Sequence, residues 1–172
     1  MNKLLLIIIF VIVSLNLSAD PAPFGLEIGK ASLNDIKKKY SIQHKGKNKY
    51  TGGDMYTLTP DELGIEGLQA VTVILNKGNK LVAVLTTFPK HKFKYLFDTM
   101  KQKRYKLTKK NIPFVGDTSA EFRHGRTVVI LDSPHLSFQM DLNYIDYNTF
   151  KAFKNVQRKE SQQKKRAEQS KL

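Results

Sequence analysis

The segment from residue 68 to residue 88 restricts this chain more than any other. Two runs rich in aliphatic and β-branched residues, 68–75 and 81–88, flank the cluster Asn76-Lys77-Gly78-Asn79-Lys80. A connection this short joins antiparallel strands and cannot hold the crossover that parallel strands require. Gly78 and Asn79 are also the residue types that accept a positive φ at such a turn. Six further runs read as strands: 41–47, 55–59, 105–109, 119–123, 127–131 and 136–142. The last three are separated by the turn-forming sequences His124-Gly125-Arg126 and Asp132-Ser133-Pro134-His135. The alternation in Phe24-Gly25-Leu26-Glu27-Ile28-Gly29 reads as one more short strand.

Two segments switch to helical spacing. Ser32 precedes Leu33, Ile36 and Tyr40, with Asp35 three residues on, which predicts an N-capped helix ending near Tyr40. Between residues 90 and 104, Phe93, Leu96, Phe97 and Met100 fall on one face, while Lys92, Lys94, Lys101 and Lys103 lie largely off it. A last apolar cluster, Tyr144, Ile145, Tyr147, Phe150 and Phe153, predicts a third helix. The order is helix then four strands, twice over, which leaves a duplicated unit as one reading. The expected fold class is α+β, a mainly antiparallel sheet with two or three helices packed on one face.

The two ends differ from the body. Met1-Asn2-Lys3, the unbroken apolar run from Leu4 to Val13 and the small residues Ser18-Ala19 have the three parts of a secretory signal peptide. Cleavage is expected after Ala19, although Leu17 is large for the position two residues before it. An uncleaved anchor is the alternative, disfavoured because Ser14, Asn16 and Ser18 interrupt a run already short of the ~20 apolar residues of a membrane span. The expected organisation is a signal peptide over residues 1–19, a linker over 20–23, one domain over 24–153 and a basic polar tail over 154–172. The tail buries no apolar face and reads as a solvated helix or as disorder.

Cysteine is absent, which removes disulfides, thiol catalysis, thiolate metal sites and a lipidated N-terminal cysteine together. The net charge is +14, and the first nineteen residues contribute only Lys3 to it. Inside a cell such an excess points to nucleic acid. Export shifts the expectation to anionic envelope components or an envelope protein, with peripheral membrane contact compatible and no span in the mature chain. The Lys- and Asn-rich composition without tryptophan suits a bacterial periplasmic or secreted protein.

The element order and the opening Phe24-Gly25-Leu26-Glu27-Ile28-Gly29-Lys30-Ala31-Ser32-Leu33-Asn34-Asp35-Ile36-Lys37 resemble the small exported modules of the β-lactamase-inhibitor-protein type. Related outer-membrane assembly lipoproteins share a Gly-x-Ser or Gly-x-x-Ser lead-in to the first helix. The resemblance implies a curved antiparallel sheet with helices on one face, used to bind proteins rather than for catalysis. The chain departs from that pattern in having no cysteine and no Gly-rich lead-in before the helix at Lys90.

Three groups of basic residues are candidates for contact with an anionic surface. The tail carries Lys151, Lys154, Arg158, Lys159, Lys164, Lys165, Arg166 and Lys171 against Glu160 and Glu168. The second helical segment carries Lys92, Lys94, Lys101, Lys103 and Arg104, continued by Lys106, Lys109 and Lys110, and the first carries Lys37, Lys38 and Lys39. The competing reading makes each of them the wet side of an amphipathic helix or a simple soluble extension. Tyr144, Tyr147 and Phe150 are read either as core or as an exposed patch at the base of the tail.

No enzyme is expected. His44, His91, His124 and His135 lack the spacing of a metal site, and Asp132-Ser133-Pro134-His135 holds triad residue types in a turn where they do not converge. Thr51-Gly52-Gly53-Asp54 and Gly64-Ile65-Glu66-Gly67 read as turns without a phosphate-loop lysine, and no cofactor is implied. The function expected is non-enzymatic binding in the envelope through the basic helices and tail. The alternative is an inhibitor or immunity-type protein with one protein target.

Overall fold

Ser32 starts the first helix by the chemistry its sequence carries. The Asp35 N–H donates to Ser32 Oγ at 3.3 Å, and the Ser32 N–H donates to the Asp35 carboxylate at 2.9 Å, a reciprocal capping box. The helix, α1, spans Leu33–Lys39 and ends where Tyr40 turns extended and its phenol donates to the Phe24 carbonyl at 2.7 Å. These details come from a computed structural model, which describes residues 20–171. The signal peptide expected over residues 1–19 lies outside the described residues.

Eight strands follow in two runs. The first run is β1 (Ile42–Lys47), β2 (Gly52–Leu58), β3 (Ala70–Asn76) and β4 (Leu81–Pro89). Helix α2 (Phe93–Gln102) then leads to β5 (Lys106–Asn111), β6 (Thr118–His124), β7 (Thr127–Ser133) and β8 (Gln139–Asp146), and helix α3 (Tyr147–Gln169) closes the chain. All eight join one sheet in the order β1-β2-β3-β4-β8-β7-β6-β5, every neighbouring pair antiparallel. The fold is α+β, and the repeated element order is matched by a sheet that is symmetric about the β4–β8 seam. At the turn between β3 and β4, Asn79 takes the positive φ, 57°, while the Asn76 side chain accepts from the Gly78 and Lys80 N–H groups.

Strand alternation divides the residues into two faces. Val73, Val84, Phe88, Phe122, Leu131 and Leu142 point to one face, where Ile36 of α1 and Leu96 and Met100 of α2 close the main core. The Phe97 ring reaches the Phe122 ring at 5.3 Å. Ile74 and Ala83 point to the opposite face and form a small second cluster with Leu85 and Ile145. Phe150 and Phe153 of α3 border that second face. Two helices therefore share one face, as the amphipathic patterns predict, and the third departs to the other.

Several boundaries differ from the sequence reading. Phe24–Gly29 is not a strand: Pro23–Gly25 form a 3-10 turn in which Phe24 has φ 57°, and Leu26 and Ile28 still reach the core. Proline and glycine here dictate a turn that serves the same apolar alternation. Residues 20–23 are not a free spacer, since the Arg126 N–H donates to the Asp20 carboxylate at 2.6 Å and the Ile28 N–H to the Pro21 carbonyl at 3.1 Å. Strand β8 starts at Gln139 rather than at Leu136, because Pro134 and the 3.2 Å bond from Ser137 N–H to its carbonyl keep that stretch a turn. The tail is helical through Gln169. Among the described residues, no helix is long and apolar enough to cross a membrane.

Helix α2 ends with the Tyr105 N–H on the Met100 carbonyl at 3.1 Å and the Arg104 N–H on the Lys101 carbonyl at 2.8 Å. This is a Schellman motif with Arg104, φ 58°, at the position glycine usually takes. A left-handed L-residue costs about 1–2 kcal/mol and glycine's extra chain entropy returns about 0.5–1 of it. Arg104→Gly is accordingly expected to raise the unfolding free energy by about 0.5–1 kcal/mol in urea; a loss would mean that the Arg104 side chain makes a stabilising contact.

Candidate functional site

The basic residues are distributed over two faces and two edges of the sheet. Both edge strands carry lysines, Lys45 and Lys47 on β1 and Lys106, Lys109 and Lys110 on β5, a charge pattern that discourages pairing with another chain. In the turn just before α2, Lys92 pairs with Glu66 at 2.9 Å, and on α2 Lys94 pairs with Asp98 at 2.6 Å; each lysine holds its partner's carboxyl below the usual range through the hydrogen bond. Lys101 lies over the Phe97 ring, 5.9 Å from its centre, and Lys103 and Arg104 are exposed. Lys39 of α1 donates to the Gly25 carbonyl at 2.7 Å, while Lys37 and Lys38 face water.

Helix α3 holds the other group. Asp146 caps it, accepting from the Asn148 and Thr149 N–H groups at 3.0 and 3.1 Å. Its first turns rest on the body through the Phe153 ring, which meets Tyr50 edge-on at 4.9 Å. Glu160 then reaches Lys49 at 3.6 Å. Arg158, Lys159, Lys164, Lys165 and Arg166 are exposed, and the ion pairs among the described residues engage none of them. Basic side chains late in a helix complement its dipole, which favours a helical tail without tertiary packing. The α2 and α3 groups lie over opposite faces and do not form one surface.

A groove of about 450 Å³ separates α3 from the second face of the sheet. Ile74, Ala83 and Ile145 form its apolar floor, and Asp132, Asn143 and Lys154 supply polar groups. Asp132 faces Asp141 across the β7–β8 ladder. Burial first, then the charges of Asp141 and Asp117, hold the Asp132 carboxyl above its usual range, against the pull of Lys154. A second groove of about 370 Å³ lies on the main-core face beside α2, floored by Thr86, Phe88, Leu142 and Tyr144. Tyr144 is buried there, and burial pushes its phenol well above the ordinary range.

Tyr144 therefore belongs to the core and not to an exposed aromatic patch. Tyr147 is exposed and carries the Arg123 guanidinium at 3.7 Å from its ring centre, and Phe150 is half-buried. The most exposed large apolar side chains lie elsewhere, at Phe114 and Val115 between β5 and β6, at Leu136 and Phe138 between β7 and β8, and at Tyr95 on α2. Their signal in the sequence is apolar residues without periodicity beside Pro113, Gly116 and Pro134. Asp132 and Ser133 end β7 while His135 lies in the following loop, and the His135 N–H donates to Asp117 at 2.8 Å. Among the described residues, no group of three or more His, Asp or Glu side chains is placed to hold a metal ion.

No family model, curated protein or solved structure matches this chain.

The Asp132 environment fixes a pH dependence. Its folded pKa is raised above the unfolded value, so the folded state holds this proton more tightly and the ionised form costs stability. That cost is absent below the unfolded carboxylate pKa, about 4, and sets in as pH rises through the folded value. Asp132→Asn should raise the urea midpoint at neutral pH relative to its effect near pH 3, by only a few tenths of a kcal/mol because the side chain reaches solvent. An equal effect at both pH values would contradict the assigned cause.

Proposed function

We propose that this chain is a non-enzymatic binding protein of the bacterial envelope, exported by its N-terminal segment, and that it contacts an anionic surface or polymer through basic side chains. The observation that carries the reading is α3, a 23-residue helix whose outer half holds Arg158, Lys159, Lys164, Lys165 and Arg166 in water, outside the ion pairs among the described residues, with Glu160 turned to Lys49. A group of cations outside any ion pair, kept at some cost in self-repulsion, is suited to an anionic partner. The α2 group is the second contact, weaker because Lys92 and Lys94 already hold Glu66 and Asp98.

Each basic residue near such a surface contributes about 1 kcal/mol before salt screening. Replacing the five α3 residues with glutamine should lower retention on isolated envelope material at least about tenfold at low salt, and replacing the five on α2 by less. Retention of the unsubstituted chain should fall steeply as salt rises. Retention indifferent to salt and to both sets of substitutions would refute the electrostatic reading.

The groove beside α3 supports a second reading, a periplasmic inhibitor or immunity-type protein with one protein target. Such a protein would bind in fixed stoichiometry and lose affinity when Ile74, Ala83 or Ile145 on the groove floor is changed, with little response to salt.

A further inference from the structure

Helices α1 and α2 cover different halves of the sheet and leave the β4–β8 seam between them. The Leu33 N–H donates to the Asn79 carbonyl at 3.3 Å, which sets the start of α1 beside the β3–β4 turn, while the Phe97 ring of α2 lies on Phe122 of β6. The groove of about 370 Å³ runs along that seam, floored by Thr86, Phe88, Leu142 and Tyr144 and walled by α2. Its volume falls within the range of about 300–1,000 Å³ that ligand sites occupy. Because α2 follows β4 after one short turn, it runs back along the seam. That direction places Leu96 toward Phe88 and brings Met100 beside Tyr144, whose hydroxyl reaches Met100 Sδ at 3.9 Å.

The two ends of the groove differ in chemistry. At the Phe88 end, Ile65 and Tyr95 put apolar surface at the rim, 43% and 66% exposed, and the Lys92–Glu66 pair ties the loop carrying Ile65 to the start of α2. At the other end Tyr144 is only 8% exposed, and a thioether at 3.9 Å is a weak acceptor for so buried a hydroxyl. Lys103 lines the same end, three residues after Met100 and so on the same side of the helix. It is exposed and takes no part in the ion pairs among the described residues. The lining holds no carboxylate besides Glu66, which Lys92 occupies. Val84 and Phe88 face Tyr144 and Met140 across the seam, so the two ends lie four residues, or about 13 Å, apart.

We propose that this groove binds a single-chain apolar anion of the fatty-acid class, its carboxylate accepting from the Tyr144 hydroxyl and facing the Lys103 ammonium, and its chain lying along the seam toward Phe88 and Leu96. A donor and a cation at one end of an apolar floor select an anionic head on an apolar chain. An alkylammonium would meet Lys103 with like charge and leave the Tyr144 hydroxyl with its thioether alone. The site is separate from α3, which carries the anionic-surface reading, so either can fail while the other stands.

Dodecanoate, titrated below its micelle concentration into residues 20–172 labelled at the methionine methyls, should shift the Met100 signal and saturate at one equivalent. Met55, which borders the opposite face of the sheet, should stay in place. Calorimetry should give an affinity that rises about three- to fourfold per methylene from octanoate to dodecanoate, and dodecyltrimethylammonium should not displace the bound anion. Tyr144→Phe and Lys103→Gln should each weaken binding about three- to tenfold, with the urea midpoint of Tyr144→Phe unchanged or higher. The variant with Arg158, Lys159, Lys164, Lys165 and Arg166 changed to Gln should bind dodecanoate as the unsubstituted chain does. A Met100 signal that does not move, or equal shifts at Met55 and Met100, would overturn the assignment. So would displacement by the alkylammonium, or binding that is lost with the α3 substitutions and kept in both Tyr144→Phe and Lys103→Gln.

Discussion

Seven residue pairs, from Ala83↔Ile145 to Pro89↔Gln139, join the two four-strand runs along one antiparallel ladder. The rest of the molecule hangs on this seam. Thr86, buried at its middle, donates its hydroxyl to the Leu142 carbonyl, and the flanking Val84 and Phe88 face Tyr144 and Met140 across it on the main-core side. Without cysteine, no disulfide ties the two halves together. Sheet pairing and the apolar layer beneath α1 and α2 do it alone, and the seam brings both helices over one continuous core.

The same geometry sets the electrostatics. Because α2 lies over one face and α3 borders the other, the basic side chains are spread around the sheet instead of being concentrated on one side. The lysine-rich edges β1 and β5 add charge where an exposed ladder would otherwise invite pairing. Self-repulsion on this scale costs stability, and ion pairs such as Lys92–Glu66, Lys94–Asp98, Lys49–Glu160 and Lys109–Glu121 offset part of it. The two bonded apolar loops add a third surface, at the end of the sheet away from the tail.

The sheet was legible because its signals are local. The short Asn76–Lys80 connection fixed an antiparallel pair, Ser32 and Asp35 marked a helix start, and the spacing of Leu96 and Met100 placed the buried side of α2. What failed was where local pattern and tertiary environment part. Phe24–Gly29 alternates like a strand, yet Pro23 and Gly25 turn it and the core still receives Leu26 and Ile28. Asp20 and Pro21 look like a spacer until the distant Arg126 and Ile28 bond to them. Leu136 resembled the first residue of β8 and is a loop tip in water. The candidate surfaces were half legible: sequence named the basic residues but could not assign α2 and α3 to opposite faces. The apolar loops carry no periodicity by which to be found.

Amide hydrogen exchange of residues 20–172, alone and with an anionic polymer at low and high salt, tests the account most directly because it reports on every surface at once. The account predicts slowed exchange at residues 158–169 of α3, with a smaller effect at residues 101–104 at the end of α2, both lost as salt rises. Exchange unchanged along α3 under all conditions, or slowed only in the groove beside it whatever the salt, would contradict it.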